Sequence, residues 1–197
     1  MPSEAVAVTL HVTQTLEVLK IPYAIGGSMA STAHGRIRTT MDVDIVAQVQ
    51  ERHVDPLVLA LGADFYADAA MMQQAIAHRS SFNLIHLETM FKVDIFVAKE
   101  RPFDQQQIAR RQPQVLEPPD HIAYVASPED VILAKLEWYR QGGEVSERQW
   151  QDIQGILDVQ GERLDRAYLQ QWATSLEVSD LLGQAWAEYE NKLLREG

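Results

Sequence analysis

Cysteine is missing from the chain, which excludes a disulfide framework, thiolate-bound zinc and a cysteine nucleophile. Long apolar runs are missing too. No segment approaches the roughly 20 apolar residues of a membrane-spanning helix, so no membrane partner is expected. Residues 1–19 carry Glu4 and Glu17 among alternating polar and apolar positions, unlike the basic start and continuous apolar run of a signal peptide. The expectation is a soluble, cytoplasmic protein. Positive charge is scarce, with 17 Lys and Arg against 28 Asp and Glu and a formal net charge of -11. Such a surface repels nucleic acid as a whole and argues against duplex wrapping by a general basic face. A local basic pocket for a triphosphate or an RNA end stays allowed. Hydrophobic residues make up 46% of the chain and Gly and Pro are not in excess, so a folded core is expected rather than disorder. At 197 residues the chain suits one good-sized domain, or a catalytic domain with a small appendage.

The pattern of elements is mixed. Val6, Leu10, Leu16 and Leu19 suggest an opening amphipathic helix ending near Pro22. Tyr23-Ala24-Ile25 reads as a short buried strand, broken by Gly26-Gly27, with a short helix from Ser28 to His34 stopped by Gly35. Residues 39–49 alternate and are rich in β-branched side chains, as a strand would be. Helical patterns follow around Pro56–Leu61 and Ala69–His78. Ser81–Leu87 and Met90–Val97 then read as a β-hairpin. The proline-rich stretch Pro113–Pro119 marks a boundary, after which the pattern is helical. Ser127-Pro128-Glu129-Asp130 combines an N-cap serine, a first-position proline and early acids. Ser146 to Gln149 has the form of a capping box, and Gly161 and Asp165 punctuate two further helices. The fold class expected is α+β: a small mixed β-sheet flanked by helices over residues 1–119, followed by a C-terminal helical subdomain over 120–197.

The chemistry centres on Asp42-Val43-Asp44. Residues two apart on a strand share a face, so both carboxylates project together while Val43 and Ile45 point into the core. Two like charges side by side are costly unless a cation lies between them, and hard oxygen ligands of this kind suit Mg²⁺. The alternative is a solvated strand face. Asp94 tips the balance, because an acid in the apolar strand Phe91–Val97 is expensive unless paired or bound to metal. If that strand neighbours the first, three carboxylates converge, enough for a two-metal displacement site.

Around the acids, the Gly26-Gly27-Ser28 turn between a strand and a helix allows close approach of phosphate to backbone amides and a helix N-terminus. It is neither a P-loop, for no Gly-Lys-Ser/Thr ending follows, nor a dinucleotide fingerprint, for the third glycine is missing. Arg38 shares parity with Thr40, Asp42 and Asp44, and either binds a triphosphate or balances the acids. Lys92 shares parity with Asp94 and leaves the same two roles open.

Gly26-Gly27-Ser28, His34-Gly35, Arg38-Thr39-Thr40, Asp42-Val43-Asp44-Ile45 and the later Asp94 together resemble the nucleotidyltransferase superfamily of the polymerase-β type. Residues 26–46 look most like the abortive-infection (AbiEii-type) nucleotidyltransferases and their uncharacterised relatives. The segment Pro128–Leu136, followed by Arg148 and Gln151-Asp152-Ile153, is similar to their helical tail. The resemblance implies that Asp42, Asp44 and Asp94 are catalytic and hold Mg²⁺, with Mn²⁺ as a substitute. It implies nucleotide binding by Gly26, Gly27, Ser28, Arg38 and Lys135. A nucleoside monophosphate would pass from a nucleoside triphosphate to a hydroxyl on an RNA 3' end, a protein or a small molecule. It also implies a toxin-type enzyme with an antitoxin or neighbouring-gene partner. Other readings are a binding or regulatory half of a toxin–antitoxin pair without turnover, and a DxD glycosyltransferase, which leaves the Gly-Gly turn and Asp94 unexplained. For Lys135 a snorkelling surface lysine is the plain alternative, and for Asp152 a helix pair with Arg148.

Overall fold

A computed structural model of the chain describes residues 4–35, 42–117, 119 and 121–196. The elements follow in the order α1 (Glu4–Val18), β1 (Tyr23–Ile25), α2 (Gly27–His34), β2 (Asp42–Ala47), α3 (Val54–Leu61), β3 (Phe65–Tyr66), α4 (Ala69–His78), β4 (Ser81–His86) and β5 (Lys92–Val97). Next come α5 (Pro102–Ala109), β6 (Gln112–Glu117), β7 (His121–Val125), α6 (Pro128–Gln141), α7 (Glu147–Gln160), α8 (Arg166–Ser175) and α9 (Ser179–Glu196). Among the described residues, seven strands form one sheet in the order β3-β4-β5-β2-β1-β7-β6. The sheet is mixed: β2 runs parallel to β5 and β1 parallel to β7, while the other neighbours are antiparallel. With the helices around it, this is the α+β class expected from the sequence.

Strict alternation gives the sheet two unlike faces. Val43, Ile45 and Ala47 of β2 and Val93, Ile95 and Val97 of β5 are buried, while Asp42, Asp44, Lys92 and Asp94 on the other parity are only partly covered. Each buried Val or Ile contributes roughly 1.5–3 kcal/mol relative to exposure. A one-residue slip would turn all six inside out, so the register is firmly set. α1 packs on β2, β6, β7 and α3, burying Val8, Val12 and Leu16. Its end is tied down through Tyr23, whose hydroxyl donates to Glu17 Oε1 at 2.7 Å and accepts from the Tyr124 amide at 3.2 Å. Burial first, and the Glu17 hydrogen bond second, push the Tyr23 phenol above its ordinary range.

The hairpin β6–β7 lies in the stretch read from its prolines as a boundary. Pro113 sits in β6, which is at the end of the strand order and pairs with β7 alone. An edge strand has one side without a ladder partner, which is where a residue lacking an N–H is tolerated. Beyond it, β7 lies between β6 and β1, with Ala123 and Val125 buried. The sheet therefore extends past residue 119. One compact unit contains the described residues up to Met29 and those from Asp42 to Ala126.

The other unit contains Ala30–Gly35 and the chain from Ser127 onward. Its helices start where the caps predict. The Ser127 hydroxyl accepts from the Asp130 amide at 3.2 Å and donates to Asp130 Oδ2 at 2.8 Å. Asp165 caps α8 through the Tyr168 amide at 2.9 Å. Ser146 accepts from the Gln149 amide at 3.4 Å, and the Gln149 side chain accepts from Lys135 Nζ at 3.0 Å. Ile132, Leu136, Ile153, Ile156, Leu169 and Ala185 are fully buried. Gly35 lies so near α7 that an added Cβ would stand 3.0 Å from the Gly155 carbonyl. Gln160 Nε2 donates to the His34 carbonyl at 2.8 Å, which holds the segment from Ala30 to Gly35 against α7.

Candidate active site

The parallel pairing of β2 with β5 aligns Asp42 with Lys92 and Asp44 with Asp94. Aligned residues on neighbouring strands point to the same face, with strands about 4.8 Å apart. Asp42, Asp44 and Asp94 thus share one patch of the partly covered face; strand parity anticipates the first two, and the pairing of β2 with β5 adds the third. Like charges directly opposite each other destabilise a sheet, so the patch needs positive charge nearby.

Two sources of it are visible. The first is the turn after β1. The Gly26 amide donates to the Asp44 carbonyl at 2.8 Å, which fixes the turn to β2, and Gly27 opens α2 with φ 52°. A Cβ on Gly27 would fall 1.8 Å from Asp44 Oδ2. Only glycine admits both that backbone conformation and that approach. The Asp44 carboxylate therefore rests at the start of α2, where the positive end of the helix dipole favours an anion. Ser28 is the second residue of the helix, within the first turn, whose amides have no helix carbonyl to meet.

The second source is Lys92. Its Nζ lies 2.7 Å from Asp94 Oδ2. The ammonium is held charged above the usual lysine range, chiefly by that hydrogen bond and further by the charges of Asp94, Asp42 and Asp44. One ammonium thus feels all three acids at once. Of the two roles the sequence leaves open for Lys92, it fills that of balancing the acids.

Lys92 also tests whether the patch suits a divalent cation. A cation already stands where the three negative fields overlap, and the donors are hard carboxylate oxygens. Among the described residues, no three acidic or imidazole side chains form a ready metal cage. Mg²⁺ rarely uses one, taking one or two carboxylates and completing its shell with water and phosphate. Carboxylate oxygens are donors of the kind Mg²⁺ takes, and Asp42 and Asp44 would be its carboxylates.

Arg38, with Thr39 and Thr40, lies outside the described residues. Lys135 belongs to the helical unit and is not a snorkelling surface residue. It is buried, and besides Gln149 it donates to Asp152 Oδ2 at 2.8 Å, joining α6 to α7. Asp152 thus has a lysine from the preceding helix as a partner. Asn83 escaped the sequence reading. It is exposed on β4, in register with Asp94, so Asn83, Asp94 and Asp44 form one row across three strands. Its alternation with Phe82 and Leu84 was a usable signal, but only strand pairing shows what it faces.

No protein-family model and no curated protein sequence matches the chain. Solved structures do resemble it. It is similar to the antibiotic-resistance factor ANT(2'')-Ia in solution, with a TM-score of 0.55 at 15% identity over 99% of this chain and 100% of that one. ANT(2'')-Ia in complex with adenylyl-2''-tobramycin gives a TM-score of 0.58 at 12% identity, over 89% and 98% of the two chains. An antigenic nucleotidyltransferase-like protein from Paracoccidioides brasiliensis gives 0.52 at 20% identity, over 92% and 91%. At such identities the likeness is one of architecture: this chain has a nucleotidyltransferase-like fold.

Proposed function

We propose that the chain transfers a nucleoside monophosphate from a nucleoside triphosphate to a hydroxyl group of a small acceptor. The observation that carries this reading is the row formed by Asp44 and Asp94 in register on adjacent parallel strands, with the Gly27 backbone against Asp44. In the reaction the acceptor oxygen bonds to the α-phosphorus, the bond to pyrophosphate breaks, and the hydroxyl proton passes to Asp94. Asp42 and Asp44 would hold Mg²⁺, which would supply charge neutralisation at the triphosphate. Gly26, Gly27 and Ser28 offer backbone at the start of α2 to the phosphates. Catalysis by positioning and electrostatics needs no nucleophilic side chain, in keeping with a chain that lacks cysteine.

Two considerations favour a small acceptor. The net charge of -11 repels a long RNA and attracts a small cationic molecule. One structural neighbour is bound to an adenylylated small molecule. Incubation with each labelled nucleoside triphosphate, Mg²⁺ and panels of RNA ends, proteins and small hydroxylated cations tests the reading. Pyrophosphate release with label on a small molecule is expected. Asp44→Asn should lower the rate by about 10³-fold or more with the fold unchanged by circular dichroism. Undiminished transfer by that variant, or no pyrophosphate from any donor, refutes the reading. Label on RNA or protein moves the acceptor to that class. Growth arrest on expression, relieved by a neighbouring-gene protein, would extend the same chemistry to toxin action.

A further inference from the structure

We propose that Lys92 is a built-in second cation of the acidic patch, so that the site takes one divalent ion per chain rather than two. The inference rests on the nucleotidyl-transfer reading and deepens it. Three carboxylates facing one another could accommodate two divalent ions, each sharing oxygens of the third acid. Here that third acid is already engaged. Lys92 and Asp94 are two apart on β5 and share its partly covered face, and the ammonium reaches Asp94 Oδ2 at 2.7 Å. Across the strands Lys92 is in register with Asp42, so its charge serves both ends of the patch.

A lysine head group is a compact point charge with three donors. On Asp94 it occupies an oxygen that a second ion would need, and it repels any such ion at close range. It leaves Asp42 and Asp44 to the ion that travels with the triphosphate. The Lys92 side chain is 41% exposed while that of Asp94 is 14% exposed, so the ammonium approaches from the open side of the patch.

The test counts ions. Mn²⁺ is titrated into wild type, Lys92→Met, Lys92→Arg and Asp44→Asn, each offered the α,β-methylene analogues of ATP, GTP, CTP and UTP in turn, and bound ion is read by electron paramagnetic resonance. Wild type and Lys92→Arg should bind one Mn²⁺ per chain, and Lys92→Met two. Thermal midpoints confirm that each variant is folded, as expected for a half-exposed side chain. Two ions in wild type, or one in Lys92→Met, overturns the inference while leaving nucleotidyl transfer standing. If wild type and every variant bind none of the four analogues, or Asp44→Asn binds Mn²⁺ as wild type does, the nucleotidyl-transfer reading fails and the inference falls with it.

Discussion

The chain contains two lysine–aspartate pairs of almost equal length in opposite surroundings. Lys92 and Asp94 meet at 2.7 Å on one strand of the sheet, with the lysine 41% exposed. Lys135 and Asp152 meet at 2.8 Å between α6 and α7, where the side chains are 6% and 12% exposed. Distance alone would class them together. Burial separates them, because an ion pair taken out of water must satisfy both partners permanently, whereas one open to solvent can exchange partners at little cost. The first pair suits a site that opens to ligands, and the second suits a fixed joint between helices.

Breaking the buried pair should have the largest effect. Lys135→Met takes the ammonium from the largely covered Asp152 carboxylate and should cost about 3–5 kcal/mol in denaturant unfolding. Adding Asp152→Leu should recover most of that loss. If Lys135→Met alone costs less than about 1 kcal/mol, the two pairs are alike after all. Gly27→Ala tests the patch from the other side. Its Cβ would collide with Asp44 Oδ2 at a backbone angle that disfavours alanine. A loss of about 1–3 kcal/mol is expected, together with weakened nucleotide binding by calorimetry. Lys92→Met should cost below about 1 kcal/mol. The cost should shrink further in 1 M salt, where screening is strong, and melts at two ionic strengths would reveal a larger or salt-insensitive effect.

The smallest expected effect is a pH dependence outside both pairs. His53 Nδ1 accepts the Gln50 amide at 3.1 Å ahead of α3. Burial, and then the charge of Arg52, hold His53 below its ordinary value. With the folded pKa below an unfolded value of about 6.5, its contribution is complete above that value and fades as pH falls through the folded pKa. Nuclear magnetic resonance titration should therefore show His53 protonating later than a free histidine on acidification. Earlier protonation would contradict the sign.

Much of the candidate site was legible because its signals are local. Alternation set Asp42 and Asp44 apart from Val43 and Ile45, and Gly26-Gly27 marked the turn into α2. Ser127, Ser146 and Asp165 announced helix starts through caps that act within a single turn. What was not legible depends on neighbours distant in sequence. Pro113 read as a break, because nothing in the local pattern says that β6 lies at an edge where proline is tolerated. His121-Ile-Ala-Tyr-Val is too short to distinguish from helix by period alone, and its place beside β1 comes from tertiary pairing. Lys135 carries the same charge as any surface lysine, and only the packing of α7 on α6 buries it against Asp152.

The sequence by itself determined which side chains share a face, where turns and helices begin, and that three acids must find positive charge. Those properties follow from backbone periods and from chemistry within a few residues. The tertiary structure alone decided that β2 lies beside β5 in a register placing Asp44 opposite Asp94. It also put the Lys92 ammonium on Asp94 and not in solvent. Strand order and register minimise the free energy of the whole sheet, through burial of one face over many residues, and no single segment carries that information.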